Sequence, residues 1–115
     1  MSDCVFCRIV KGEIPSSKVY EDDEVIAFRD IHPQAPLHVQ IIPKRHIENL
    51  SQTQDDDIPL LGKMLALAPQ IAAEQGSHGG FRTIINTGRV GGQEVYHLHI
   101  HVLGGDKTLP AMLKY

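Results

Sequence analysis

Hydrophobic positions along the chain fall into short alternating runs toward both ends, with one long run of helical period between them. After an apolar start from Cys4 to Val10, the turn-forming Gly12-Glu13-Ile14-Pro15-Ser16-Ser17 leads into Lys18 to Glu21, where alternation predicts a short strand. Asp22-Asp23 can turn the chain into Glu24 to Arg29, whose Val25-Ile26-Ala27-Phe28 run has the density of a buried strand, so a hairpin is expected. Pro33 and Pro36 break the chain before Leu37 to Ile42, a third strand closed by Pro43.

From about Asp55 to Gln75, Ile58, Leu61, Leu65, Ala68 and Ile71 or Ala72 recur at helical spacing behind three acidic residues suited to a helix N-terminus. Pro59 is acceptable in the first turn, whereas Pro69 removes an internal hydrogen bond and is expected to kink or interrupt the helix before Gly76 stops it. Phe81 to Asn86 and Val95 to Leu103 complete the strands, separated by the glycine-rich loop Thr87 to Gln93. Short links and a single long helix predict an α+β fold: an antiparallel sheet packed by a helix, not a repeated strand-helix-strand array.

Composition narrows the function classes. A chain of 115 residues, 42% hydrophobic and 22% charged, has globular proportions and the size of one domain spanning 1–115. With no tryptophan and 5% aromatics, the core must be aliphatic. A net charge of −3 provides no broad basic surface, so a nucleic-acid polymer is disfavoured while a small anion remains admissible. Met1-Ser2-Asp3-Cys4 does not read as a secretory start and no run of about 18 apolar residues signals a membrane span, which leaves a cytoplasmic location as the expectation. In that compartment Cys4-x-x-Cys7 reads as thiols or metal ligands before a structural disulfide.

The strongest chemical signal is Tyr96-His97-Leu98-His99-Ile100-His101-Val102-Leu103. In a strand, period two places His97, His99 and His101 on one face and Leu98, Ile100 and Val102 on the other. Two chemistries fit such an array. A neutral imidazole can attack phosphorus while its neighbours bind phosphate oxygens, or imidazoles at i and i+2, about 7 Å apart, can converge on a metal. The flexible amides of Gly91-Gly92-Gln93 immediately before the strand favour phosphorus chemistry, although such a loop is also an ordinary hairpin connection.

The alternation His97-Leu98-His99-Ile100-His101-Val102-Leu103 resembles the signature of the histidine-triad family. The likeness extends through Phe6, Glu13-Ile14-Pro15, Phe28, Asp30-Ile31, Pro33-Gln34-Ala35-Pro36, His38, Ile42-Pro43-Lys44, Asn86 and Gly91-Gly92-Gln93, and is nearest to the nucleoside phosphoramidase branch. It implies a five-stranded antiparallel sheet with one long helix and a short N-terminal helix. It further implies a homodimer whose sheets join edge to edge, acting on purine nucleoside phosphoramidates or related adenylates, conjugates of AMP or GMP, without a catalytic cofactor.

Under this resemblance His99 matches the nucleophile that forms a nucleotidyl-histidine intermediate, and His38 and His101 match phosphate-contacting histidines. Asn86, Gly92 and Gln93 would donate to phosphate oxygens, and Asp30, an acceptor-only carboxylate, would take the ribose hydroxyls. Asp30 also precedes a proline-rich turn, where an aspartate commonly bonds its own neighbouring backbone. Phe6, Ile9, Phe28 and Ile31 would make an apolar slot for the base, or serve as ordinary core.

The chain departs from close relatives at His32, Leu37 and Glu94, the first two near the nucleotide end and the last on the leaving-group side, where an acid could attract an amine. Cys4 and Cys7 resemble half of a structural zinc site found in some branches, its other ligands matching His46 and His97. Two alternatives stand beside the phosphoramidase reading: a zinc hydrolase ligated by the strand histidines, and a non-catalytic nucleotide-sensing adaptor.

Overall fold

Asp22 starts the sheet: its Oδ1 accepts the backbone N–H groups of Glu24 and Val25 at 2.8 and 2.9 Å, closing the turn between strand β1 (Lys18–Glu21) and strand β2 (Val25–Arg29). The computed structural model describes residues 4–113. Strand β3 (Leu37–Pro43) pairs antiparallel with β2, from Val25 opposite Pro43 to Arg29 opposite Val39. Strands β4 (Arg82–Ile84) and β5 (Ile100–Gly104) complete a five-stranded antiparallel sheet in the order β1-β2-β3-β5-β4. A short helix α1 (Val5–Val10) precedes the sheet, and the long helix α2 (Ile58–Glu74) lies between β3 and β4. The α+β architecture with one long and one short helix is therefore as expected.

The two faces of the sheet have different fates. Val25, Ala27, Val39, Ile41, Ile100 and Val102 pack with Met64, Leu67, Ala68 and Ile71 of α2 into the main core, which also takes in Leu98. On the opposite face Ile26, Phe28 and Ile42 receive Phe6 and Ile9 of α1 in a smaller cluster. β3 is buried along its entire length, yet its cleft-side residues include His38 and Gln40. Polar side chains at such positions are costly unless something bonds them, and this face carries the candidate site.

Three local expectations are corrected. α2 runs unbroken through Pro69, which lies on the helix's exposed side. The carbonyl that loses its partner there, on Leu65, belongs to a residue 47% exposed, where water can bond it. The buried stripe is Met64, Leu67, Ala68, Ile71 and Ala72, so Ile58 and Leu65 face outward. The last two strands are shorter than the 81–86 and 95–103 runs predicted, because pairing begins only at Ile100 opposite Ile41 and at Ile84 opposite His101. Residues 97–99 are held instead by single bonds, Leu98 N to Ile47 O at 2.7 Å and His97 Nε2 to Pro43 O at 2.8 Å. Among the described residues no helix is long and apolar enough to cross a membrane.

Candidate active site

The histidine alternation survives the early loss of strand pairing. Leu98, Ile100 and Val102 enter the main core, while His97, His99 and His101 stay on the other side, where Phe6 meets His97 and His99 edge to face at 5.8 and 5.3 Å. A cleft of about 660 Å³ opens over this face, lined in part by His38, His99, His101, Asn86, Gly92 and Glu94. Phe6, Ile9, Phe28 and Asp30 line the same cleft, with Ile31 at the rim and 85% exposed. Its size is that of a small-molecule site.

Backbone partners fix where the imidazole protons sit. A carbonyl can only accept, so the 2.7 Å contact between His99 Nδ1 and His97 O puts a proton on Nδ1 and leaves the Nε2 lone pair of neutral His99 free. Gln34 N donates to His38 Nδ1 at 3.0 Å, so neutral His38 carries its proton on Nε2. That proton is donated to His101 Nδ1 at 2.9 Å, which places the remaining donor of His101 on Nε2. Burial lowers the pKa of His38 and His99, and pushes His101 down to about 4 with help from its histidine neighbours. At neutral pH the cleft therefore presents uncharged imidazoles with defined donors and acceptors.

Asp30 sits at the end of β2. Its Oδ1 accepts His32 N at 2.8 Å, as expected of an aspartate at such a turn, and its Oδ2 accepts Gln40 Nε2 at 2.6 Å and lies 3.5 Å from His38 Nε2. Burial alone would raise its pKa, but the bonds from His32 and Gln40 outweigh it, and the carboxyl stays below its usual range. The turn role leaves Asp30 in the cleft lining.

Gln93 is a correction. Its Nε2 donates to the carbonyls of Glu48 and Val95 at 2.7 and 3.0 Å, and its backbone N–H donates to Gly88 O at 3.0 Å. Its Oε1 accepts from Asn49 Nδ2 and Gly88 N. With all its donors committed, Gln93 braces the glycine loop and offers nothing to a phosphate. Asn86 lines the cleft but spends one amide N–H on Gly91 O at 2.8 Å.

A second cluster lies behind the first. The His97 ring turns its Nδ1 toward Cys4 Sγ, Cys7 Sγ and His46 Nδ1, at 3.3, 3.6 and 3.2 Å, and Cys7 Sγ is 3.3 Å from His46 Nδ1. Because His97 Nε2 donates to Pro43 O, Nδ1 has a single lone pair, which cannot accept three donors at once. One ion at the centre would satisfy all four groups, and zinc–nitrogen and zinc–sulfur bond lengths give tetrahedral edges of about 3.3–3.8 Å, close to these separations. The residues thus fit a closed two-sulfur, two-nitrogen zinc site. His97, His99 and His101 do not converge on a common point: one ring faces the thiols, one is tied to a carbonyl, and one pairs with His38.

Sequence reasoning missed Gln40. Its signal was a second polar residue, two positions after His38, inside an otherwise apolar strand and hence on the same face.

Fold and site define an α+β protein with a histidine-lined, small-molecule cleft. The family described as "Scavenger mRNA decapping enzyme C-term binding" matches residues 3–114. The chain is 52% identical to protein HitA of Neisseria gonorrhoeae over 90% of its length and 97% of that protein's. It is 50% identical to a solved HIT family hydrolase from Legionella pneumophila, with a TM-score of 0.86 over 90% of this chain and 94% of that one. A HIT family hydrolase from Clostridium thermocellum superposes with a TM-score of 0.91 at 44% identity, covering 98% and 99% of the two chains. The chain belongs to the histidine-triad family.

Proposed function

We propose that the chain is a hydrolase that cleaves purine nucleoside phosphoramidates or related adenylates to the nucleoside monophosphate, with His99 as nucleophile. The observation that carries this reading is His99 itself: buried, neutral, lining the cleft and held at Nδ1 by the His97 carbonyl, so that Nε2 is the free nitrogen.

In the first step the Nε2 lone pair attacks the α-phosphorus and the P–N bond breaks. Its electron pair leaves with the amine, which takes up a proton from solvent in the open cleft, and Glu94, in the cleft lining, favours an amine there. The Gly92 N–H, like that of Gln93, is spent within the loop, on Arg89 O at 3.1 Å, so the Nε2–H of His101 and the second amide N–H of Asn86 receive the charge developing on the phosphate oxygens, and His38 holds the His101 ring in that tautomer. Water then attacks phosphorus and releases a proton to solvent, the N–P bond breaks with its electron pair returning to His99 Nε2, and the monophosphate leaves. Asp30 takes the ribose hydroxyls, while Phe6, Ile9, Phe28 and Ile31 flank the base.

Cys4, Cys7, His46 and His97 hold a structural zinc in this reading, which ties α1 to the segment before β5 and takes no part in the chemistry. The separation of the strand histidines gives the zinc-hydrolase alternative no support. The position of β4 at one edge of the sheet suits a homodimer joined sheet to sheet.

Hydrolysis of adenosine 5′-phosphoramidate by wild type and His99→Ala, after exhaustive chelation and with folding and metal content checked in the same samples, tests the reading. Turnover by wild type that resists chelation and vanishes in the variant supports it. Full activity in the variant refutes it.

A further inference from the structure

Gln40 stands in the middle of β3, opposite Phe28 on one side and His101 on the other, in a strand otherwise filled by apolar residues and His38. It is nine-tenths buried at the wall of the cleft. Its Nε2 donates to Asp30 Oδ2 at 2.6 Å. A carboxylate only accepts, so this bond fixes the orientation of the amide and turns Oε1 away from Asp30. Oε1 is buried and has no hydrogen-bond donor among the described residues. A buried amide that satisfies one end and orphans the other is a poor choice for a strand interior on stability grounds alone. The end that is satisfied is the one that touches Asp30.

We infer that Gln40 is a positioning residue for ribose recognition: its amide aims and holds the Asp30 carboxylate against the cleft, and thereby sets the selectivity for a ribonucleotide over a nucleotide lacking ribose hydroxyls. This rests on the ribose role proposed for Asp30. The backbone N–H of His32 pins Oδ1 at 2.8 Å and Gln40 pins Oδ2, so the carboxylate plane is set from both sides. Each oxygen keeps further lone-pair capacity for a vicinal diol. Without Gln40 the Oδ2 side swings toward His38 Nε2, 3.5 Å away, which competes with the diol and disturbs the bond from His38 to His101.

The experiment compares kcat/KM for adenosine 5′-phosphoramidate and its 2′,3′-dideoxy analogue in wild type, Gln40→Met, Asp30→Ala and the double variant, each shown to be folded by circular dichroism. Methionine keeps the length of glutamine and removes the bond. A hydrogen bond to a charged group predicts about a tenfold loss of the ribose preference in Gln40→Met, carried by KM rather than kcat. Gln40→Met should change the preference less than about twofold when Asp30 is already alanine, the non-additivity expected of a residue that acts through its neighbour. In free Gln40→Met, carbon-13 NMR should find the Asp30 carboxyl titrating at higher pH than in wild type. If wild type prefers the ribonucleotide and Gln40→Met keeps that preference undiminished, or loses it equally in the Asp30→Ala background, the inference is overturned while the ribose role of Asp30 stands. If wild type shows no ribose preference, the role of Asp30 fails and that of Gln40 with it.

Discussion

His97 accepts the Nδ1–H of His99 on its carbonyl at 2.7 Å while its own ring faces Cys4, Cys7 and His46. One residue thus joins the proposed nucleophile to the proposed metal cluster, with the backbone holding the tautomer and the side chain holding the backbone. Anything that loosens the His97 ring loosens the clamp on His99.

Metal removal should therefore act first on stability. Protein grown with zinc should carry about one ion per chain, and stripping it should lower Tm by more than about 10 °C, since binding free energy at a structural site is folding free energy. Cys7→Ser should mimic the stripped protein. Elemental analysis and calorimetry check both, and a chain that purifies without metal and melts identically with or without chelator would refute the site. Burial, then the neighbouring Cys4, raises the pKa of the Cys7 thiol, which argues against a reactive dithiol as the alternative use of this pair.

The His99→Ala variant should lose at least about a thousandfold in kcat, as expected when a covalent nucleophile is removed. The wild type quenched in acid during turnover should contain a phosphorus–nitrogen adduct at His99 by mass spectrometry. Turnover without any such adduct would point to direct attack by water.

Much of this was legible because period two and period 3.6 are strong signals. The hairpin around Asp22 follows from its turn residues, the buried β2 from its apolar density, the division of histidines from Leu98, Ile100 and Val102 from alternation, and the glycine loop from its composition. What escaped depended on partners distant in sequence. Leu65 shares the helix's apolar register, but no described residue covers it. The amide of Gln93 looks free until Glu48 and Asn49 are placed beside it. Gln40 becomes meaningful only once Asp30 lies next to it. The Cys4, Cys7, His46 and His97 set spans 93 residues between its ends and was named only through the resemblance.

Acid should destabilise the protein through the cleft. Burial, chiefly, pushes His101 down to about 4 in the folded chain and His38 below its ordinary value, whereas the unfolded chain takes up those protons near the ordinary histidine value of 6.5. Between those limits the unfolded state binds more protons, so stability is complete above about pH 6.5 and falls as the pH drops toward 4, each unit of depression being worth about 1.4 kcal/mol before solvent screening. Asp30, with its lowered pKa, adds a further loss at still lower pH. Urea unfolding at pH 7.5, 6 and 5 should show this slope, and His101→Gln should flatten it. An unchanged slope in the variant would remove His101 from the account.

Gly91 offers a test of the loop without touching any proposed chemical group. A Cβ at this position would lie 2.5 Å from Thr87 O and 2.8 Å from Thr87 N, and backbone cannot rotate away as a side chain can. Gly91 O also accepts the Asn86 amide, so pushing residue 91 outward breaks that bond and carries Gly92 with it, at the wall of the cleft. Overpacking of this kind costs about 1–3 kcal/mol, and here the strain falls on a surface loop braced by Gln93 rather than on the core. Gly91→Ala should therefore lower kcat/KM by about tenfold or more while Tm falls only a few degrees, since a misplacement of about 1 Å at a reacting centre costs far more in rate than in fold. Gly88→Ala is the control: its φ of 70° strains an alanine, but a Cβ there meets nothing within 4 Å. If both variants lose activity equally, backbone conformation rather than the close approach to Thr87 governs the loop.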